Sequence, residues 1–248
     1  MKTSGTFRIG ILLHGNKIWI SELISIIFVS LLLIALLTIS FIILNNEITS
    51  HHSDKEIALL KTQNIVLHNE LEHLRKTTLI AQTLRSFVGN RIPSSTIYQV
   101  SELIYSNSTQ FGYDPLLLLA VIHVESYFKA DARGKFQSGT LSGALGLMQL
   151  KLKTAQQVAQ QLKLGPLSSE DLFKPEINIV LGVAYLTQLV KQFKSFKLGL
   201  LAYNQGPTTI LVNISNNQQL SVNYYRKVLK SYYTLKEISA KDEKKGKK

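Results

Sequence analysis

In the stretch AVIHVESYFKADARG, residues 120–134, a glutamate follows a run of aliphatic side chains. Counting back from Glu125 by three, four and seven positions reaches Ile122, Val121 and Leu118. That spacing puts the carboxyl on the apolar face of a helix, near its C-terminal end. DPLLLLA opens the helix: Asp114 can cap the free N–H groups, and Pro115 suits the first helical position. A carboxyl so placed has three explanations: pairing with a buried base, exposure at the helix end, or retention as a neutral acid. Desolvation disfavours the charged form and lifts a carboxyl pKa, the condition for a general acid working near neutral pH. The helix alone leaves all three open.

More residues with chemical capacity lie downstream. GALGLMQL, residues 143–150, joins the small Gly143, Ala144 and Gly146 to apolar Leu147, Met148 and Leu150, with one amide at Gln149. Alone, this reads as a tight packing turn between helices. Thr154 can cap a helix over TAQQVAQQL, and KPEINIVLGVAYLTQLVKQF reads as a long helix bearing Tyr185. FKLGLLAYNQGP is a shorter one, and an asparagine such as Asn204 at a helix end is by itself only a cap. His123 falls off the Glu125 face and reads as structural. His51 and His52 have no further ligands at metal spacing, so no metal site and no cofactor are expected.

The order and spacing of these pieces resemble the soluble lytic transglycosylase family, whose catalytic domain is related in fold to goose-type lysozyme. Glu125, Ser126, Phe128 and Ala132 match the family's E-S motif with its aromatic and small residues. Gly143 to Gln149 match G-A-x-G-L-M-Q without a gap, and Ala202, Tyr203, Asn204, Gly206 and Pro207 match A-Y-N-x-G-P. NYYRKV supplies Tyr224 for a final Y-x-x-K-V. The resemblance covers about residues 96–235 and rests on four motifs in order. It implies a mainly α, lysozyme-like domain that cleaves peptidoglycan between N-acetylmuramic acid and N-acetylglucosamine without water. In such enzymes one glutamate is first the acid on the leaving oxygen, then the base on the muramyl 6-hydroxyl, giving a 1,6-anhydro end.

Carried over position by position, the resemblance makes Glu125 the catalytic acid and base. Gln149, Tyr203 and Asn204 would line the cleft and hold the sugar, and Met148 would form apolar floor beneath it. Tyr224 falls on the tyrosine near the catalytic glutamate. Ser126 belongs to the E-S motif, and Thr140 stands where the family has a serine close to the acid. Tyr185 either lines the groove or packs in the core. The chain departs from the family between Glu125 and Gly143, where it is about six residues longer and carries Lys129, Arg133 and Lys135. That insertion either clamps the anionic peptide stems of the substrate or is a tolerated surface loop. Leu152 and Thr208 replace an expected proline and glycine, changes of loop shape rather than chemistry.

The elements that must position these residues follow from patterning. Residues 23–44 hold no charge over 22 positions, enough for a helix to cross the hydrocarbon core, which takes roughly 20. Lys2, Arg8 and Lys17 precede this run, with Trp19 at the interfacial position. The positive-inside tendency therefore keeps residues 1–22 in the cytoplasm and exports everything after residue 45. The apolar core is too long for a cleaved signal peptide and no small-x-small site follows it, so an uncleaved signal-anchor is expected. Residues 45–93 form a helical stalk, in which Leu60, Leu67 and Leu74 repeat every seven with Ile57, Asn64, Leu71 and Thr78 as a second row. That pattern fits either a short coiled coil, with Asn64 setting register in a homodimer, or one amphipathic helix resting on the downstream domain. Gly89, Asn90 and Pro93 break the stalk. The catalytic domain is expected over 94–236, helical throughout except for a possible strand at TILVNI, and residues 237–248 form a basic disordered tail.

The chain has no cysteine, which excludes disulfides and thiolate chemistry, and its net charge is +12. Such a charge suits an anionic partner, here peptidoglycan and the surface of a single-pass membrane, with the domain in the periplasm or cell-wall space. Nucleic acid is not expected, since no recognition motif is present. Two rival readings remain beside the transglycosylase: a hydrolytic muramidase of the same fold, with Asp131 as a second carboxyl, and a non-catalytic peptidoglycan-binding scaffold.

Overall fold

A computed structural model describes residues 10–13 and 16–246. Two compact units divide the chain, residues 1–69 and residues 70–248. In the first, β1 (Gly10–Leu13) pairs antiparallel with β2 (Asn16–Trp19), and α1 (Ile20–Val88) begins. Helix α1 contains a segment long and apolar enough to cross a membrane, none of it buried in protein. Ile57, Leu60, Leu67, Leu71 and Leu74 are likewise exposed.

The second unit starts before the expected boundary at residue 94. The last turns of α1 belong to its core: Ile80, Ala81, Leu84 and Val88 are buried in the same cluster as Leu118 and Ile122. Ala81 and Leu84 are apolar for this reason. Nothing in the sequence breaks the helix before Gly89, so one element serves both units.

The unit continues with α2 (Ser94–Phe111) and α3 (Pro115–Ser126). Strands β3 (Arg133–Lys135), β4 (Leu141–Leu145) and β5 (Leu150–Lys151) follow, then α4 (Leu152–Gln161). Helices α5 (Pro175–Phe193), α6 (Phe196–Gln205), α7 (Pro207–Ser215) and α8 (Asn223–Gly246) complete it. Mainly α architecture is as expected. The small antiparallel sheet, in the order β3-β4-β5, is not. Its strands are short and largely exposed, so they show no clean alternation of apolar and polar side chains. TILVNI lies within α7 rather than a strand, and the charged tail extends α8 through Gly246 instead of being disordered. Its lysines and glutamates are good helix formers, which is reason enough.

Helix α3 sits at the centre. Leu118, Leu119, Ala120, Val121 and Ile122 are all fully buried, so the helix is apolar all round rather than along one stripe. Asp114 accepts the Leu116 N–H at 2.8 Å and fixes where the helix starts. Helix α8 covers one side of it, while α2 and α6 pack on α5.

Candidate active site

Helix α3 ends abruptly just past Glu125. Tyr127 takes a left-handed conformation (φ 53°), its N–H bonding the His123 carbonyl at 3.0 Å, and Phe128 follows with φ 62°. Consecutive left-handed residues with side chains are costly and persist only where surroundings impose them. Here Phe128 is buried and the His123 ring stacks on it at 5.9 Å, with Phe87 edge-on to the imidazole at 4.7 Å. His123 also bonds Ser231 at 2.9 Å, and burial lowers its pKa, followed by the nearby Arg91 charge. It is structural, as its position off the Glu125 face indicated.

Glu125 is part-buried, enclosed by protein but open along one edge. Tyr224, on α8 and almost wholly buried, donates its hydroxyl to Glu125 Oε1 at 2.5 Å. Burial pushes the Glu125 pKa up to about 7, and the Tyr224 hydrogen bond opposes part of that rise. Burial and the carboxylate in turn hold the Tyr224 phenol well above its ordinary range, so it remains a neutral donor.

The open edge faces a cleft of about 530 Å³, lined by Gln149, Tyr185, Tyr203 and Asn204 together with the β3–β4 hairpin. Beside it, and also bordered by Glu125, is a second hollow of about 400 Å³, lined by Asn204, Ser221, Asn223, Tyr224 and Lys227. Glu125, Asn204 and Gln205 line both, so the carboxyl borders two adjoining hollows. Among the described residues it is the sole acidic side chain lining either hollow.

Residues 102–225, half of the chain, match the transglycosylase SLT domain. The chain belongs to that family. Among curated relatives it is 25% identical over 156 residues to the membrane-bound lytic murein transglycosylase E of Buchnera aphidicola from Acyrthosiphon pisum, covering 59% of this chain and 68% of the relative. It is 28% identical over 189 residues to the membrane-bound lytic murein transglycosylase C of Histophilus somni, covering 69% of this chain but 50% of that one. The solved 70 kDa soluble lytic transglycosylase of Escherichia coli is 21% identical, with a TM-score of 0.43, over 68% of this chain and 30% of that chain.

Within the SLT domain, the turn between β4 and β5 shows why its motif reads as it does. Asn178 of α5, fully buried, accepts the Met148 N–H at 2.7 Å and donates to the carbonyls of Leu145 (2.9 Å) and Leu172 (2.8 Å). A Cβ on Gly146 would lie 2.1 Å from the Leu172 oxygen and 2.3 Å from Asn178 Nδ2, so only glycine fits. Asn178 was not singled out from sequence. Its signal was a polar residue inside an apolar helical run.

Four residues of the SLT domain are placed otherwise than expected. Met148 is fully buried against Gly182 of α5, so it is core rather than cleft floor; what it offers the site is its carbonyl, which accepts the Tyr203 hydroxyl at 2.7 Å. Ser126 is buried with its hydroxyl on the Ile122 carbonyl at 3.1 Å, because its side chain points back along the helix. Thr140 is exposed at the hairpin tip and bonded to Ser138 at 2.8 Å, while its neighbour Ser142 lines the cleft. Gln149 does line it, but its amide N–H groups are spent on the Ala132 (3.2 Å) and Gly146 (2.8 Å) carbonyls. Tyr185 lines the cleft and also packs on Tyr203, ring centroids 5.5 Å apart. Thr154 faces the cleft instead of capping α4, which starts two residues earlier at Leu152. Asp131, the candidate second carboxyl, is exposed and lines neither hollow.

Proposed function

We propose that this protein is a peptidoglycan lytic transglycosylase that breaks the β-1,4 bond between N-acetylmuramic acid and N-acetylglucosamine, with Glu125 as its one acid and base. The observation that carries this reading is that, among the described residues, Glu125 is the one acidic side chain lining the cleft or the hollow beside it, with a pKa near 7. A glycosidase working through water or a covalent intermediate uses two carboxyls, roughly 5–9.5 Å apart. With one, the chemistry closes if the carboxyl does both jobs. Neutral Glu125 gives its proton to the glycosidic oxygen as the bond to the muramyl C1 breaks. The carboxylate then takes the proton of the muramyl 6-hydroxyl as that oxygen bonds C1. The enzyme ends as it began, the products are a 1,6-anhydromuramyl end and a free 4-hydroxyl, and no water is consumed. A pKa near 7 suits a group that must lose and regain one proton at neutral pH. Tyr224 positions the carboxyl and, staying neutral, stabilises its charged form between the two steps.

Mass spectrometry of muropeptides released from purified peptidoglycan tests this. Anhydromuramyl products from the wild type, falling at least ~10³-fold in Glu125→Gln with the fold retained, are expected. Reducing ends would assign hydrolysis instead. Binding to the sacculus with no product would assign a scaffold.

The apolar segment of α1 is proposed as a signal-anchor spanning residues 23–44, N-terminus in the cytoplasm and SLT domain in the periplasm or wall space. The exposed Ile57, Leu60, Leu67, Leu71 and Leu74, with Asn64 in their register, support a parallel homodimer through this stretch. Since the chain lacks cysteine, Asn64→Cys in the membrane-inserted protein should form a disulfide-linked dimer. The outward-facing Thr62→Cys should not, and equal yields would rule the pairing out.

A further inference from the structure

The stretch that departs from the family pattern is the β3–β4 hairpin, and it forms one wall of the cleft. Lys135 and Phe136 line the cleft, and Lys151 at the end of β5 joins them. Phe136 is 55% exposed, an aromatic surface that nothing in the fold covers. Among the described residues neither lysine takes part in an ion pair, and the cleft holds no acid but Glu125. The hairpin is not a loose loop. Arg133 at its base lies over the Phe173 ring at 4.6 Å. The next residue, Gly134, is so close to the sheet that a Cβ there would meet Ser142 Oγ at 2.4 Å and Gln149 Oε1 at 2.7 Å. The Phe136 N–H closes the tip on the Thr140 carbonyl at 2.9 Å. Two unpaired cations are thus held on a braced wall, facing a groove for a polymer whose sugars bear peptides with free carboxylates.

From this arrangement, and resting on the proposed function, we infer that Lys135 and Lys151 form a subsite for the carboxylates of the stem peptides, so that the enzyme selects peptide-bearing glycan over naked strands. Arg133, the third cation of the insertion, is taken up by Phe173 and has no part in it. Burial and the Tyr224 hydrogen bond account for the Glu125 pKa, so the two lysines act on recognition without tuning the acid.

Affinity tests this apart from turnover. The full-length Glu125→Gln protein in detergent is titrated with uncrosslinked strands carrying stems, and with the same strands after an amidase has removed them. Peptide-bearing strands should bind about three- to tenfold more tightly, the scale of two exposed charge pairs, with the preference fading at high salt. Lys135→Gln combined with Lys151→Gln should bring the ratio near unity, and the paired lysine-to-arginine variant should restore it. Equal binding of both strands, or a ratio that survives the glutamine pair, overturns the subsite. So does an equal loss on both strands, which would mark a structural role. Turnover by the wild type is scored separately: absence of cleavage with the binding preference intact would sink the proposed chemistry and leave the subsite standing.

Discussion

Helix α3 and the β3–β4 hairpin meet in the same cleft but are built on opposite terms. Helix α3 is enclosed through its middle, Leu118 to Ile122 being fully buried, and its end is set by two left-handed residues, the second of which, Phe128, is locked among aromatic rings. The hairpin is exposed along most of its length and holds its shape through a stacked arginine and a few close backbone contacts. The carboxyl sits on the first, while the free cations sit on the second (Lys135) and on the adjoining strand β5 (Lys151). A group whose pKa must be raised needs desolvation and fixed neighbours, which only a packed helix can supply. Cations meant for a charged, variable partner must keep their hydration until it arrives. The difference therefore teaches where chemistry and recognition divide in this groove.

Substitutions on the buried side should hurt most. Gly146→Ala would drive a methyl into the Leu172 carbonyl and the Asn178 amide, breaking the turn that carries Gln149 to the cleft; a loss of ~2–4 kcal/mol in denaturant unfolding is expected, with activity gone. A variant as stable as wild type would mean that the turn yields. Tyr224→Phe should be milder and more informative. It removes the hydrogen bond that opposes the rise in the Glu125 pKa, so that pKa moves above about 7. The acid step needs protonated Glu125, so the alkaline limb of the kcat/KM profile should shift upward by roughly one unit, while turnover falls about tenfold. A downward shift would contradict the assigned role of Tyr224. On the exposed side, Thr140→Ala should change thermal stability by less than ~0.5 kcal/mol and leave cleavage at the wild-type rate, since its hydroxyl meets only Ser138.

The same contrast explains what could be read in advance. Glu125, the Asp114 cap and the α3 boundaries were legible because each depends on neighbours within a helical turn or two. Residue type does not reveal direction, however, and Met148, apolar in either case, turned into the core instead of under a sugar. Ser126 and Thr140 matched motif positions, yet one points back along its helix and the other off a longer hairpin. The sheet escaped notice because strands exposed on both faces leave no alternation. The end of α1 packs into the core, one of the two readings its pattern allowed because apolar residues at helical spacing look alike whether they meet another copy or a core.

Asn178 has a consequence of another kind. Two of its three hydrogen bonds join a turn of the SLT motif to a helix some thirty residues further along, the third holds the Leu172 carbonyl, and that carbonyl and the amide together leave Gly146 no room for a Cβ. The two positions are in effect one heritable character: neither can drift alone, and any lineage that exchanges one must answer at the other.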